Sequence, residues 1–268
     1  MRIVLYTHED FWSDELFRYI FAHVAANYPN TRIAAVRRVP LDWRSRLVRT
    51  VRKFRRLGPA GALEFASSLP IARRIHRRHS EEIDAGLRSL ARPVVEDPSI
   101  NIAWTRTVNG PDAVAAISEL EPDLLIQAGA GIIRPGVFNL APLGMLNIHH
   151  GIAPLIRGMH SIAWALLEDR PECLGATVHR VDAGIDTGDV LAYAPVSISS
   201  GDGVASVFVR ATEAAVRELL LVMRRLETGE RWMVEPLLGA RTYRSSISGW
   251  RLWALERRLR DEDNLRAE

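Results

Sequence analysis

Short apolar runs alternate with amphipathic segments along this chain, and this alternation limits the folds that it can adopt. Residues 2–6 (RIVLY) form a short apolar run, residues 14–27 are amphipathic at helical spacing, and residues 31–39 (TRIAAVRRV) again look like a strand. Strand, helix and strand in this order and at these lengths are typical of a βαβ unit. The pattern predicts an α/β fold with a Rossmann-like, mostly parallel sheet and helices on both faces.

The same alternation resumes in the second half of the chain. Further strands are predicted at 100–106, 123–129, 144–150, 174–181 and 189–198, and helices at 111–120, 135–140, 161–168, 204–226 and 249–260. An antiparallel direction is considered only for the strand at 189–198. Ligands of such sheets bind beyond the carboxyl ends of strands, so we expect the polar residues that end strand 144–150 to carry the chemistry.

A basic helical segment interrupts the alternation between residues 41 and 90. Glycine and proline at positions 58, 59, 61 and 70 break its pattern, so we expect an insertion of two or three helices. The expected organisation is a catalytic domain at 1–226 that includes this insertion, followed by a short helical C-terminal extension at 227–268. Between residues 37 and 78 only Asp42 and Glu64 are acidic, which favours either an anionic partner or a solvated helix face.

Composition and the N-terminal sequence argue against several classes of protein. No apolar run reaches the ~18–20 residues that span a bilayer, and the first residues (MRIVLYTHED) lack the pattern of a signal peptide. Cys173 is the only cysteine, so an intrachain disulfide is impossible, which fits a reducing compartment. We therefore expect a cytoplasmic protein without a membrane partner.

Two polar residues near the end of strand 144–150 suggest catalysis. Asn147 and His149 are two residues apart, so their side chains share one face of the strand. The asparagine amide can stabilise a developing oxyanion, and the imidazole can move protons near neutral pH. His150 points to the opposite face, so the two histidines would chelate one ion poorly and no metal is expected.

An acidic loop could orient the histidine. The segment VDAGIDTGD (181–189) contains two glycines that allow a sharp bend. Its acidic candidates are Asp182, Asp186 and Asp189. Their spacing does not match a helix–loop–helix calcium site.

The stretch at 147–192 resembles the catalytic half of the folate-dependent formyltransferase family. The family pattern is Asn-x-His, a proline and then a glycine, an amphipathic helix, Gly-x-Thr-x-His, and Asp-x-Gly at the folate loop. The matching positions are Asn147, His149, Pro154, Gly158, Gly175, Thr177, His179, Asp186 and Gly188. The similarity extends upstream over residues 123–150 and is weak before residue 100.

The resemblance implies a role for each residue of the site. Asn147 would stabilise the oxyanion formed from the formyl carbonyl, His149 would polarise that oxygen or move the amine's proton, and Asp186 would pair with His149. Thr177 and His179 would support the site from the neighbouring strand. The pterin ring of 10-formyltetrahydrofolate would lie between two loops, whose expected contacts are Ala128, Gly131, Ile132, Ile133, Arg134, Asp182, Ala183 and Gly184.

Departures from the family pattern leave alternatives open. Many members have Pro-Ser after the catalytic histidine, where this chain has His150 and Gly151. A histidine pair occurs in formyltetrahydrofolate hydrolases, so a hydrolase is an alternative to an N-formyltransferase. A non-catalytic folate- or nucleotide-binding protein with a relic site is a further alternative.

The acceptor is expected to be a small-molecule amine. Segment 7–16 lacks the glycines of the purine-pathway phosphate loop, which argues against glycinamide ribonucleotide, and the tail is too short for the C-terminal domain of tRNA-acting members. An amino-sugar nucleotide is the preferred acceptor, because arginines can hold its phosphates, and a natural-product or siderophore amine is the next choice. The expected acceptor contacts are His150, Arg157, Gly158, Arg37 and Arg38. Nucleic acid is not expected, and a homodimer is left open.

Overall fold

The computed structural model describes residues 1–9, 14–37, 43–95 and 102–267. The strands are β1 (Ile3–His8), β2 (Arg32–Val36), β3 (Ile102–Thr105), β4 (Leu124–Ala128), β5 (Met145–His149), β6 (Ile156–Gly158), β7 (Gly175–Arg180), β8 (Val190–Pro195) and β9 (Thr242–Arg244). The α-helices are α1 (Glu15–Asn27), α2 (Trp43–Ser89), α3 (Pro111–Glu119), α4 (Pro135–Phe138), α5 (Ser161–Leu167), α6 (Val204–Glu227) and α7 (Gly249–Ala267). A 3-10 turn spans Pro171–Cys173.

Seven strands form the central sheet in the order β3-β2-β1-β4-β5-β7-β8. The first five of these are parallel, whereas β7 is antiparallel to β5 and β8 is antiparallel to β7. The α/β fold with a mostly parallel sheet is thus confirmed. The reversed strand, however, is β7, which pairs antiparallel with β5. Strand β8 then runs in the direction of the parallel set, because β7 and β8 are joined by the loop 181–189 and pair as a hairpin.

Alternate side chains of the strands pack against helices on opposite faces of the sheet. On β1, Ile3 and Leu5 belong to a buried cluster that includes residues of α1 and α6. Val4, between them, belongs to another cluster with Ala113 and Ile117 of α3. The period of two along the strand therefore places helices on both sides, as the sequence predicts.

The basic insertion folds as helix α2, which is interrupted at Gly58. Gly58 has φ 68°, in the left-handed region that glycine adopts without strain, and Pro59 then occupies the first position of the second helical segment, where no N–H is required. The described part of 41–90 therefore contains two helical segments, and two is the lower of the two numbers of helices expected. The second segment packs against α6 and α7.

A small second sheet was not predicted from the sequence. Strands β6 and β9 pair in parallel, with Arg157 opposite Tyr243 and Gly158 opposite Arg244. At Gly158, which has φ 98°, a Cβ would lie 2.2 Å from the carbonyl oxygen of Arg244, so this pairing needs glycine.

The tail is less helical than predicted at its start and more helical at its end. Much of 228–248 is non-helical and includes β9, whereas α7 runs to Ala267 rather than to residue 260. Leu252 and Leu255 of α7 share a buried cluster with Ile75 of α2 and with residues of α5 and α6. The division into 1–226 and 227–268 stays a prediction. Among the described residues, no helix is long and apolar enough to cross a membrane.

Candidate active site

The pairing of β5 with β7 places four polar side chains on one face of the sheet. Asn147 lies opposite His179, and His149 lies opposite Thr177. The Nδ2 atom of Asn147 is 3.1 Å from Nε2 of His179, whose Nδ1 is 2.8 Å from the carbonyl oxygen of Arg180. His179 can therefore donate through Nδ1 and accept one amide hydrogen of Asn147, which leaves the second amide hydrogen for a ligand.

The loop after β7 brings Asp186 to these residues. Asp186 has φ 51°, and its Oδ2 accepts the N–H of Gly158 at 2.9 Å and lies 3.4 Å from Nδ1 of His149. Its Oδ1 is 3.7 Å from Nε2 of His179. Asp186 and His149, which were predicted to pair, thus lie next to each other in the structure.

Asp186 is an ionised group at neutral pH. Burial opposes its ionisation, but the nearby rings of His179 and His149 and the hydrogen bond from the N–H of Gly158 together lower its pKa to about 2. A negative charge therefore lies next to the His149 ring throughout the physiological pH range.

The His149 ring is buried between two acceptors. Only 6% of the residue is exposed, and Nε2 is 3.1 Å from the carbonyl oxygen of Ile156 while Nδ1 faces Asp186. Burial lowers the pKa of His149 and the Asp186 carboxylate raises it. The neutral ring keeps a lone pair on one nitrogen, and its protonated form would have an acceptor at each N–H, so the ring has the chemistry of a general base.

Thr177 and Gly151 hold the turn that follows β5. The Thr177 hydroxyl donates to the carbonyl oxygen of Gly151 at 2.8 Å and accepts the N–H of Ala153 at 2.9 Å. At Gly151, a Cβ would lie 2.7 Å from Cβ of Ser161 and 2.9 Å from Nε2 of His149. The departure from the family pattern at position 151 thus makes room for Ser161, whose hydroxyl oxygen is 3.4 Å from His149 Nε2.

A cavity of about 430 Å³ borders His149. Its walls come from the start of α1, the second segment of α2, the end of β5, α5, α6 and α7. Five histidines line it, namely His76, His79, His149, His150 and His160. Asn147 and Asp186 are not among the residues that line it, so within the described structure His149 contacts both Asp186 and the cavity.

His150 lines the cavity but is already engaged by α6. Its ring stacks on Phe208 with 3.9 Å between the ring centroids, and its Nε2 is 2.9 Å from the hydroxyl of Thr212. Burial lowers the pKa of His150 to about 3. The ring is therefore neutral at neutral pH, and its Nε2 is already engaged by Thr212.

The α2 wall was not identified from the sequence. His76, His79, Ser80, Ile83 and Asp84 line the cavity from this helix. Their spacing of three to four residues is that of one helix face, which is the sequence signal that could have found them.

The loop at 128–134, expected to contact folate, is held by two side chains that the sequence analysis missed. Gln127 donates from Nε2 to the carbonyl oxygen of Gly131 at 2.6 Å. Asn109 donates to the carbonyl oxygen of Ile132 at 2.9 Å and accepts the N–H of Arg134 at 2.6 Å. Ala128 and Ile133 are buried and Ile132 is exposed, so the loop presents an apolar side chain and fixed backbone groups.

The second expected folate loop is closed by Asp182. Its Oδ1 accepts the N–H of Gly184 at 3.0 Å and the hydroxyl of Thr187 at 2.7 Å. Ala183 and Gly184 are exposed at the tip. That a pterin ring lies between this loop and the loop at 128–134 stays a prediction.

The expected acceptor arginines do not line the cavity. Arg37 follows β2, three strand positions from β5, and stacks over the ring of Trp104 at 5.0 Å. Arg157 donates to the carbonyl oxygen of Ile185 at 3.4 Å, and Arg38 lies outside the described residues. No arginine is among the described residues that line the cavity, whereas His150 and Gly158 are.

A metal centre has no support in the part of the chain that the structure describes. No group of three or more histidine, cysteine, aspartate or glutamate side chains there could hold an ion.

Comparison with known sequences relates the chain to one group of enzymes. Residues 76–223 match the sequence model of a family described as formyl transferase. The chain is 31% identical to the methionyl-tRNA formyltransferase of Geobacter metallireducens over 137 residues, which are 51% of this chain and 44% of that protein. The match thus spans less than half the length of that relative.

Solved structures share the fold at low sequence identity. A sugar N-formyltransferase from a Shewanella species is 17% identical with a TM-score of 0.55, and the similarity covers 91% of this chain and 77% of that chain. HypX from Aquifex aeolicus in complex with tetrahydrofolic acid is 16% identical with a TM-score of 0.54, over 92% of this chain and 30% of that chain. At these identities the likeness is one of fold.

Proposed function

Because the chain belongs to the folate-dependent formyltransferase family, we propose that it transfers a formyl group from 10-formyltetrahydrofolate to the primary amine of a small acceptor. The observation that carries the proposal is the convergence of Asn147, His149 and Asp186, of which His149 also lines a cavity large enough for a small molecule. The tetrahydrofolic acid bound by HypX, a protein of similar fold, supports the choice of donor.

The two loops and the polar side chains beside them fit a folate formyl donor. The loops at 128–134 and 182–186 would hold the pterin, largely through backbone groups, and 10-formyltetrahydrofolate would supply the formyl carbon and its leaving nitrogen. Asn147 keeps one amide hydrogen available beyond its contact with His179, so it can donate to an oxygen on which negative charge develops.

His149 carries the proton transfer. A protonated amine has no lone pair with which to attack, so the acceptor nitrogen must enter neutral and lose a proton as its bond to carbon forms. The neutral His149 ring accepts that proton, and the imidazolium is then held between Asp186 and the carbonyl oxygen of Ile156. The same proton returns to the leaving nitrogen, so the residues end the reaction in their starting state.

We include in the proposal the acceptor that the sequence favours, an amino-sugar nucleotide. Arg37 lies at the carboxyl end of β2, three strand spacings or roughly 14 Å from β5. A phosphate bound there would belong to an extended acceptor whose amine-bearing part enters the cavity. Hydrolysis is not favoured by the histidine pair, because His150 is held by Phe208 and Thr212.

Three single variants test the proposal. Loss of His149 (His149→Ala) or of the charge on Asp186 (Asp186→Asn) should lower kcat by roughly 10²–10⁴-fold, and Asn147→Ala by roughly 10²–10³-fold. Consumption of the folate donor is measured with a panel of amines and with no amine added. His23→Ala is the matched control, because His23 contacts the Tyr19 carbonyl oxygen on α1, away from the site.

Two outcomes would contradict the proposal. All three variants within about threefold of the wild type would remove the catalytic assignment. Donor consumption at the same rate with and without amine, giving formate, would make the protein a hydrolase.

A further inference from the structure

The cavity next to His149 has a chemical character that limits which acceptor can enter it. Its described lining contains two carboxylates, Asp14 and Asp84, and no lysine or arginine. Burial lowers the pKa of His76, His149 and His150, so these rings carry no positive charge at neutral pH. Of the other two histidines in the lining, His79 is paired with the Glu256 carboxylate and His160 accepts the N–H of Ile247 at Nδ1. An anionic group would therefore find no unpaired positive charge among these residues, whereas the two carboxylates can accept hydrogen bonds from a donor group.

Asp84 is the residue best suited to receive such a donor. It is half-buried on α2, and within the described part of the chain no hydrogen bond or ion pair engages its carboxylate. Nearby acidic residues are engaged, since Glu82 pairs with Arg78 and Glu81 with Arg77. A carboxylate that lines a cavity without a protein partner can bind an ammonium or hydroxyl group of a ligand.

Along α2, Asp84 is separated from the histidine that lies nearest to the β5–α5 side of the cavity. His76 packs against His160, with 4.9 Å between the ring centroids, and His160 directly precedes Ser161, which approaches His149. Asp84 follows His76 by eight residues on the same helix, which is about 12 Å along the helix axis. The donor group that binds Asp84 would therefore be a different group of the acceptor from the attacking amine. The attacking nitrogen would not contact this carboxylate and could stay neutral.

We propose that the α2 side of the cavity binds the body of the acceptor through a second donor group, ammonium or hydroxyl, received by Asp84, and that it excludes acceptors with an anionic group on that body. The inference rests on the proposed function for the position of the reacting amine. It limits the part of the acceptor that enters the cavity to a non-anionic amine with a further donor, such as a diamine or the amino-sugar portion of a larger acceptor whose phosphates stay outside the cavity.

Three probes and two variants test this. Binding of 1,4-diaminobutane, glucosamine and glucosamine 6-phosphate is measured by calorimetry at pH 7.5, and formyl transfer to each is measured separately. The first two should bind and the phosphate ester should bind at least tenfold more weakly than glucosamine. Asp84→Asn should weaken diamine binding by roughly tenfold or more, as expected for loss of a charged hydrogen-bond acceptor, and glucosamine binding by less. Glu81→Gln, on the same helix but outside the lining, should change neither.

The outcomes separate this inference from the proposed function. Tighter binding of the phosphate ester, equal effects of Asp84→Asn and Glu81→Gln, or no binding of either non-anionic amine would overturn the inference. The expected binding pattern without formyl transfer to any amine would leave the cavity assignment standing and count against the proposed function.

Discussion

Replacing Asp186 with asparagine would test the electrostatics of the site with little change of shape. The carboxylate accepts the N–H of Gly158 at 2.9 Å and approaches His149 and His179 at 3.4 and 3.7 Å. An asparagine oxygen can still accept from Gly158. Asp186→Asn therefore removes mainly the negative charge and its interactions with the two rings.

The size of the effect follows from the pKa of Asp186. Burial raises it, but the hydrogen bonds and the nearby rings outweigh burial and lower it from 3.8 to about 2. A depression of nearly two pKa units corresponds to roughly 2 kcal/mol of stability contributed by the ionised form. Because the side chain is only 15% exposed, solvent screening reduces this figure little.

The sign and the pH window are set by the same values. A carboxyl group whose pKa is lower in the folded state stabilises the fold above its unfolded pKa, and the stabilisation is lost as pH falls through the folded pKa. The contribution of Asp186 is thus complete above pH 3.8 and is lost towards pH 2. At pH 3 about half of it should remain.

Urea unfolding of the wild type and the variant at pH 7, pH 5 and pH 3 measures this contribution. We expect Asp186→Asn to lower the free energy of unfolding by roughly 2 kcal/mol at pH 7 and pH 5, and by about half as much at pH 3. Asp189→Asn, at an exposed position of the same loop, is the control and should change little. Equal stability of variant and wild type at pH 7, or an undiminished loss at pH 3, would refute the reasoning.

Three further predictions concern the same site. The acidic limb of the kcat/KM profile should lie below pH 6.5, because burial lowers the pKa of His149. Asp186→Asn should move this limb to still lower pH, because the carboxylate raises the pKa of His149. A limb that moves to higher pH in the variant would contradict this reasoning. Gly151→Ala should lower stability by about 1–3 kcal/mol and reduce activity, because the added Cβ would meet Ser161 and His149. Gly201→Ala is the control and should leave activity unchanged, because Gly201 also has a positive φ but no atom lies within 4 Å of the added Cβ. Equal losses of activity in both variants would contradict the packing argument. Activity should survive exhaustive chelation, because Asn147, His149 and Asp186 supply both charge stabilisation and proton transfer; restoration of a lost activity by zinc would count against that.

Local sequence patterns predicted most of the central sheet and part of the site. The period of two that puts Asn147 and His149 on one face depends only on neighbouring residues, and the strand pairing adds His179 to that face. Asp186 could not be chosen from pattern alone among the three aspartates of its loop. The family resemblance selected it, and the loop's return over β7, which brings it to His149, is a tertiary feature.

Features that depend on distant segments were missed. Strands β6 and β9 are three residues each and are separated by more than eighty residues, so neither has a periodic pattern that could mark it. The direction of β7 is given by its antiparallel pairing with β5, which its own apolar run does not reveal. Asn109 and Gln127 hold the loop at 128–134 through contacts with its backbone, which composition does not reveal.

Helix α2 explains why a charge count over the segment 37–78 could not identify its partner. The exposed residues of its second segment include Arg73, Arg74 and Arg77, whereas His76 and His79 face the cavity. A sum of charge along the sequence of a helix combines residues that the 3.6-residue period places on different faces. The positive charge of these arginines is therefore a property of the solvated face, and the acceptor meets a face of imidazole, hydroxyl and carboxylate groups. Selectivity for an acceptor should accordingly respond to changes at Asp84 or His76 and be insensitive to neutralisation of Arg73 or Arg74.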